Sequence, residues 1–187
     1  AEDSHYTLPA VHHDRARLDS VELLPFKRYI YDGYAGVMTG HLYVPALDKA
    51  RNKPVSMSRA VVTDLLQKEL GFRGLCFTDA LAMKGATTRK SDNPSVMALL
   101  AGNDILLAPT APINDFAAVK EALEEGILDR EEIEAKIIKI LQYKYIAGLN
   151  DYRPVETKGL SERLNSPHAA WLAAKLNEEA RSEERRV

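Results

Sequence analysis

At 187 residues, 45% hydrophobic and 28% charged, the chain has the size and make-up of one sizeable globular domain. A formal net charge of −2, with no Lys/Arg run before the last residues, argues against a nucleic-acid or anionic-membrane partner. The single cysteine excludes an intramolecular disulfide framework and a cysteine-built zinc site, and no apolar run approaches the length of a membrane span.

Residues 1–17 are polar, lack any period and contain Pro9, so they read as a loop; Asp3, His5, His12, His13 and Asp14 gather there. Apolar residues from Leu18 to Asp32 fall near helical spacing, with Pro25 opening the main part of the helix and Gly33 ending it. Tyr34 to Thr39 reads as a strand ending at Gly40-His41, and residues 42–57, with Pro45 and Pro54, as a long loop. Ser58 is expected to cap a helix that places Val61, Val62, Leu65, Leu66 and Leu70 on one face and stops at Gly71. Leu75 to Thr78 is a short apolar run between Gly74 and Asp79, the signature of a buried parallel strand, in which Cys76 is a small core residue.

Beyond it, Gly85 to Asp92 is a polar loop, and Asn93-Pro94 cap and open a helix that runs to Ala101 and stops at Gly102. Asp104 to Ala108 is expected as a third buried strand, closed by Pro109. Helices follow over 114–125, with Phe116, Val119 and Leu123 on one side, and over 129–147, with Asp129 and Glu132 in capping-box register. The second carries Ile133, Ile137, Ile140, Leu141 and Tyr145 as its packing stripe and ends at Gly148. Residues 149–165 form an extended linker around Pro154. A last helix starts at Ser166-Pro167, carries Trp171, Leu172 and Leu176, and ends in the polar tail Arg181 to Arg186.

Strands alternating with helices, and strands that are apolar throughout, mean parallel β/α units. No glycine-rich phosphate fingerprint follows any strand, which disfavours a dinucleotide fold and leaves a barrel. Three strands cannot close a barrel of about eight, and the start at Ala1-Glu2-Asp3 without Met predicts a piece of something longer. Asp79 sits at the carboxyl end of a strand, where catalytic groups gather in α/β architectures; read alone, it is more often a turn or N-cap residue. His12 and His13 read as solvated loop residues. Together with His5 they lack the helical or hairpin spacing of a zinc ligand set.

Four segments resemble the catalytic barrel of glycoside hydrolase family 3, and within it the β-N-acetylglucosaminidase branch. Glu2-Asp3-Ser4-His5-Tyr6-Thr7-Leu8-Pro9 is similar to the family's catalytic loop, and Val37-Met38-Thr39-Gly40-His41 with Val44-Pro45-Ala46-Leu47-Asp48 to its sixth strand and following loop. Leu70-Gly71-Phe72-Arg73-Gly74 through Phe77-Thr78-Asp79-Ala80-Leu81-Ala82-Met83 resembles the seventh strand, and Ala101-Gly102-Asn103-Asp104-Ile105-Leu106-Leu107 the eighth. The fold class implied is α/β: about three β/α units from the C-terminal part of a TIM-type barrel over 1–150, then a linker and C-terminal helix over 151–187. The family's Lys-His segment before the catalytic loop and its first four or five strands have no counterpart here.

The resemblance assigns Asp79 the role of covalent nucleophile, His5 that of acid/base and Asp3 that of orienting the His5 ring. His41 is left either lining the substrate face or hydrogen-bonding into the barrel. An imidazole in place of the usual second carboxyl group is chemically sound, because it titrates near neutrality and a neighbouring carboxylate fixes its tautomer. The expected activity is retaining hydrolysis of terminal β-linked N-acetylglucosamine from glycans or muropeptides, with no cofactor implied and with the isolated chain inactive. A family 3 β-glucosidase is the nearest alternative, but those enzymes commonly carry Asp-Trp at the nucleophile, where this chain has Asp79-Ala80. An N-acetylglucosaminide phosphorylase and a non-catalytic barrel fragment are the others. The expected partners are a carbohydrate substrate and either a second copy or the missing barrel half, with no nucleic acid and no membrane. Bacterial cytoplasm and a periplasmic or secreted location stay equally open, since any signal would lie upstream of Ala1.

Overall fold

The computed structural model describes residues 3–86 and 92–184, with side chains up to 181. Glu2 of the loop motif, most of the expected polar loop 85–92 and the end of the polar tail lie outside the described residues. The chain divides into two compact units, Ala1–Ala147 and Gly148–Val187.

The first unit begins with a capped turn. Asp14 accepts a hydrogen bond from Arg17 N at 2.7 Å and starts α1 (Arg15–Arg17). The backbone then widens into a π-helix over Leu18–Glu22 before α2 (Leu24–Tyr31), which carries Pro25 in its first turn. The single helix expected from Leu18 is therefore broken. Pro25 has no N–H to offer the preceding turn, and Leu23 N reaches back five residues to Leu18 O at 2.7 Å.

β1 (Gly36–Thr39) and β2 (Leu75–Thr78) form a two-stranded parallel sheet, in register from Gly36 opposite Leu75 to Thr39 opposite Thr78. The connection between them holds a 3₁₀ turn at Val55–Met57 and a second π-helix, Ala60–Glu69. That helix buries Val62, Leu65 and Leu66, and Val62 and Leu66 join Val37, Phe72, Cys76 and Ala101 in one core cluster. Burying each such aliphatic side chain is worth about 1.5–3 kcal/mol. Gly74 is required just before β2 because a Cβ there would overlap the Ala35 carbonyl, which accepts from Leu75 N at 2.8 Å. Ser58 does not cap the helix as expected. Its hydroxyl donates to Asp48 Oδ2, and its carbonyl, not its side chain, receives Val61 N and Val62 N.

The third expected strand, Asp104–Ala108, is not formed as a strand. The segment runs parallel to β2 but makes a single bridge, Ile105 to Phe77. Thr78 N donates to Ile105 O at 2.9 Å, but the next rung is lost because Leu107 N donates to the Thr78 hydroxyl at 2.9 Å in place of a backbone carbonyl. Ala108 then turns away with a left-handed φ of 43°. Among the described residues there are thus two strands and one flanking segment where three β/α units were expected.

α3 (Pro94–Ala101) is capped by Asn93, which accepts from Ser95 N and Val96 N, and stops at Gly102, whose φ of 114° suits only glycine. α4 (Pro112–Glu124) buries Ala122, while Phe116 of the expected apolar side is exposed. α5 (Arg130–Ile146) is capped by Asp129 through Glu132 N. Its expected packing stripe is half realised: Ile133 and Ile140 are half-buried, but Ile137, Leu141 and Tyr145 face solvent. What ties α5 down is an ion pair, Lys139 Nζ to the buried Asp104 Oδ2 at 2.8 Å, the same oxygen that accepts from Cys76 N.

The second unit holds a 3₁₀ turn at Leu149–Asp151, α6 (Leu160–Leu164) within the expected linker, and α7 (Pro167–Glu184), whose start is capped by Ser166 Oγ accepting from Ala169 N at 3.2 Å. Trp171, Leu172 and Leu176 of α7 are exposed. No described helix is long and apolar enough to cross a membrane.

Candidate active site

Parallel pairing puts the carboxyl ends of β1 and β2 side by side, so the residues leaving each strand share one edge. Asp79 follows β2 directly. Its N–H donates to Thr39 O at 2.9 Å, and its own Oδ1 accepts from Ala80 N at 2.8 Å, which fixes the carboxylate rotamer. The residue is half-buried, with one carboxylate oxygen engaged locally. On its other side the turn after β2 is pinned by Leu81 N to Leu107 O at 2.9 Å and Ala82 N to Ala108 O at 3.1 Å.

His41, which leaves β1, is fully buried at 0% exposure. Its Nε2 lies 3.1 Å from Ala80 O and its Nδ1 2.7 Å from Ser56 Oγ. A carbonyl can only accept, so Nε2 carries the proton and Nδ1 accepts from the Ser56 hydroxyl. Both ring nitrogens are therefore spent inside the protein. Of the two roles open to His41, the geometry supplies hydrogen bonding within the fold, directly behind Asp79. Asn103, also fully buried, extends the same support: it accepts from the Thr39 hydroxyl at 2.8 Å and donates to Ser56 O at 2.7 Å.

Burial pushes the His41 imidazole below its ordinary range; the Ala80 carbonyl and the Asp79 carboxylate act the other way, but more weakly. Below the unfolded value of about 6.5, the unfolded chain takes up a proton that folded His41 resists, so stability falls as pH drops from there toward the folded value. Urea unfolding at pH 7 and pH 5.5 should show the lower midpoint at pH 5.5, and His41→Asn should narrow that difference. An unchanged difference would assign it to other groups.

Asp3 and His5 lie in a turn closed by Tyr6 N and Thr7 N, both donating to Asp3 O at 3.0 Å. Asp3 Oδ1 accepts from His5 N at 2.9 Å and from His5 Nδ1 at 2.7 Å. These bonds, the backbone one first, hold the Asp3 carboxyl below its ordinary range. They also settle the ring: Nδ1 donates to the carboxylate, and Nε2 is the nitrogen free to exchange a proton with solvent or ligand. Both side chains are open, at 57% exposure for Asp3 and 68% for His5.

The loop is anchored twice. Gly85 N donates to Ser4 O at 3.1 Å, in the 3₁₀ turn Lys84–Ala86 that follows Asp79. Further along, Tyr43 N donates to Pro9 O and Val11 N to Tyr43 O, each at 2.8 Å, beside the segment that follows His41. The four predicted residues thus form two pairs, Asp3 with His5 and Asp79 with His41, joined through the Lys84–Ala86 turn. Sequence reasoning missed Ser56, Asn103 and Gly85. Only Gly85 left a signal, as the glycine that opens the expected polar loop. His12 and His13 are exposed, and among the described residues no group of His, Cys, Asp or Glu is arranged to hold a metal ion.

The family described as "Glycosyl hydrolase family 3 N terminal domain" matches residues 1–143. Beta-hexosaminidase A of Pseudoalteromonas piscicida is 33% identical over 162 residues, which is 76% of this chain and 27% of that protein. A beta-hexosaminidase of Chromobacterium violaceum is 34% identical over 115 residues, covering 59% of this chain and 30% of its own length. Among solved structures, a glycoside hydrolase family 3 beta-N-acetylglucosaminidase from Paenibacillus sp. str. FPU-7 superposes with a TM-score of 0.75 at 33% identity, over 83% of this chain and 30% of that one. The chain therefore spans under a third of the length of these relatives.

Proposed function

The chain belongs to glycosyl hydrolase family 3, and from that premise we propose that it carries the reactive residues of a retaining glycosidase acting on terminal β-linked N-acetylglucosamine. Asp79 is the nucleophile, His5 the acid/base, Asp3 its orienter and His41 a positioning group behind Asp79. The reading rests on one observation above all: the hydrogen-bonded Asp3–His5 pair is seated on the turn that leaves Asp79. One exposed imidazole with a free Nε2 and one strand-end carboxylate are the two groups that double displacement at a sugar requires. We further infer that the chain is the C-terminal part of a (β/α)8 barrel. Support comes from the two-stranded parallel sheet, whose β2 edge is covered only by the short 104–108 segment, the solvent-facing stripe of α5 and the small share of each relative covered.

The test is turnover of an aryl β-N-acetylglucosaminide against an aryl β-glucoside, with and without phosphate. It is run on the chain alone and on a barrel completed with the remaining strands. The completed barrel should prefer the N-acetylglucosaminide and release free sugar without phosphate, while the chain alone, lacking most of the pocket, should be inactive. Preference for the glucoside, or a sugar phosphate as product, would replace the substrate or the acceptor. Equal turnover by the chain alone would overturn the barrel reading.

A further inference from the structure

Gly85 is buried among the groups to which the chemistry has been assigned. Its N–H donates to Ser4 O at 3.1 Å, and Lys84 N faces His5 O at 3.4 Å. A Cβ at position 85 would stand 2.8 Å from both Ser4 O and Thr7 O and 3.0 Å from His41 Cβ. Two of those neighbours are backbone oxygens of the turn that holds Asp3 and His5, so neither can swing aside as a flexible side chain would. The third is the Cβ of a histidine whose ring is pinned at both nitrogens by Ser56 and Ala80. The φ of Gly85 lies outside the left-handed region, so a methyl group there brings no backbone strain of its own. The effect of a substitution is one of space.

We propose that Gly85 is a positioning residue whose missing side chain lets the Asp3–His5 loop sit directly on the turn behind Asp79. This rests on the assignment of Asp79, His5 and Asp3 given above. To restore ordinary contact, a Cβ must lift the loop by roughly half an ångström, the tolerance within which a catalytic group has to be held. Because His41 blocks the opposite side, the loop is the part that moves. Gly85 thereby sets the separation between the acid/base and the nucleophile without touching the substrate.

Amide exchange on the 187-residue chain reads the seat without any need for activity. Gly85→Ala should speed exchange at positions 84 and 85 by at least about tenfold while leaving Val62 and Cys76 of the core unchanged. Gly40→Ala is the control, since its nearest neighbour is the flexible Leu42 side chain at 3.8 Å, and it should alter none of these. In the completed barrel, Gly85→Ala should lower turnover about 10²-fold on substrates with poor leaving groups and far less on activated aryl glycosides. Unchanged exchange at 84 and 85 overturns the seat, and an equal loss on both substrate classes overturns the positioning role. Should the Ala variant not fold, the wild-type chain decides. Its Gly85 amide must be protected and its α protons must show nuclear Overhauser contacts to Thr7, and the lack of both overturns the proposal. A wild-type barrel without glycosidase activity but with the exchange pattern above counts against the proposed function and still supports the seat.

Discussion

Asp79→Asn, in a barrel completed around this chain, should lower turnover by about 10⁴–10⁶-fold, the scale expected when a nucleophile acting as part of a unit is removed. The substitution is nearly isosteric. Asn Oδ1 can still accept from Ala80 N, and the bond from residue 79 N to Thr39 O is untouched, so the fold has no reason to change. On the proposed assignment, what disappears is the first displacement. In it a carboxylate oxygen bonds to the anomeric carbon, the glycosidic C–O bond breaks and the leaving oxygen takes the His5 proton. In the second, water attacks the same carbon, the ester bond to Asp79 breaks and His5 recovers a proton from the water. A neutral amide serves neither step. The check is steady-state turnover together with trapping by a fluorinated glycoside and mapping of the labelled peptide. Label outside the peptide holding Asp79, or residual activity above about one per cent, would sink the assignment.

Much of the local geometry around these residues was readable in advance because its signals are local. The apolar run Leu75–Thr78, bracketed by Gly74 and Asp79, is a strand with a carboxylate at its end. Asn93-Pro94 and Asp129 start helices as their side-chain chemistry dictates. The Asp3–His5 hydrogen bond spans two positions and is visible as a spacing. The features that escaped depend on partners far away in the chain. Ser58 was lost as a cap to Asp48, and the third strand was cut short by the hydroxyl of Thr78, the last residue of β2. His41 stayed open between lining the substrate face and hydrogen-bonding into the barrel, because sealing it takes Ser56 and the Ala80 carbonyl together. Gly85 is buried where Ser4 and Thr7 fold back over it and His41 closes the other side. On α5, periodicity pointed to a packing stripe, but only Ile133 and Ile140 of it are half-buried, since periodicity cannot say whether anything covers a face.

His5→Ala should cost about 10²–10⁴-fold on substrates whose leaving group needs a proton, and much less in the first step on activated aryl glycosides. The difference follows from the ring geometry. Nδ1 is held by Asp3 at 2.7 Å, which on the proposed assignment leaves Nε2 to give the proton to the departing oxygen. An activated phenolate departs without that proton, so its first displacement survives. The second displacement then becomes limiting, because nothing removes the proton from the attacking water and the glycosyl ester on Asp79 accumulates. Azide attacks the same carbon with no proton to lose, so it should restore turnover of the aryl substrate in His5→Ala and yield the glycosyl azide, while leaving Asp79→Asn unrescued. Asp3→Asn should give a milder version of the His5→Ala pattern, since it keeps an acceptor for His5 N but loses the charge that stabilises the imidazolium. Steady-state kinetics over a series of aryl leaving groups, with and without azide, measure all three variants. Equal losses across the series with no azide rescue would make His5 a structural residue of its loop and return the acid/base role to another group.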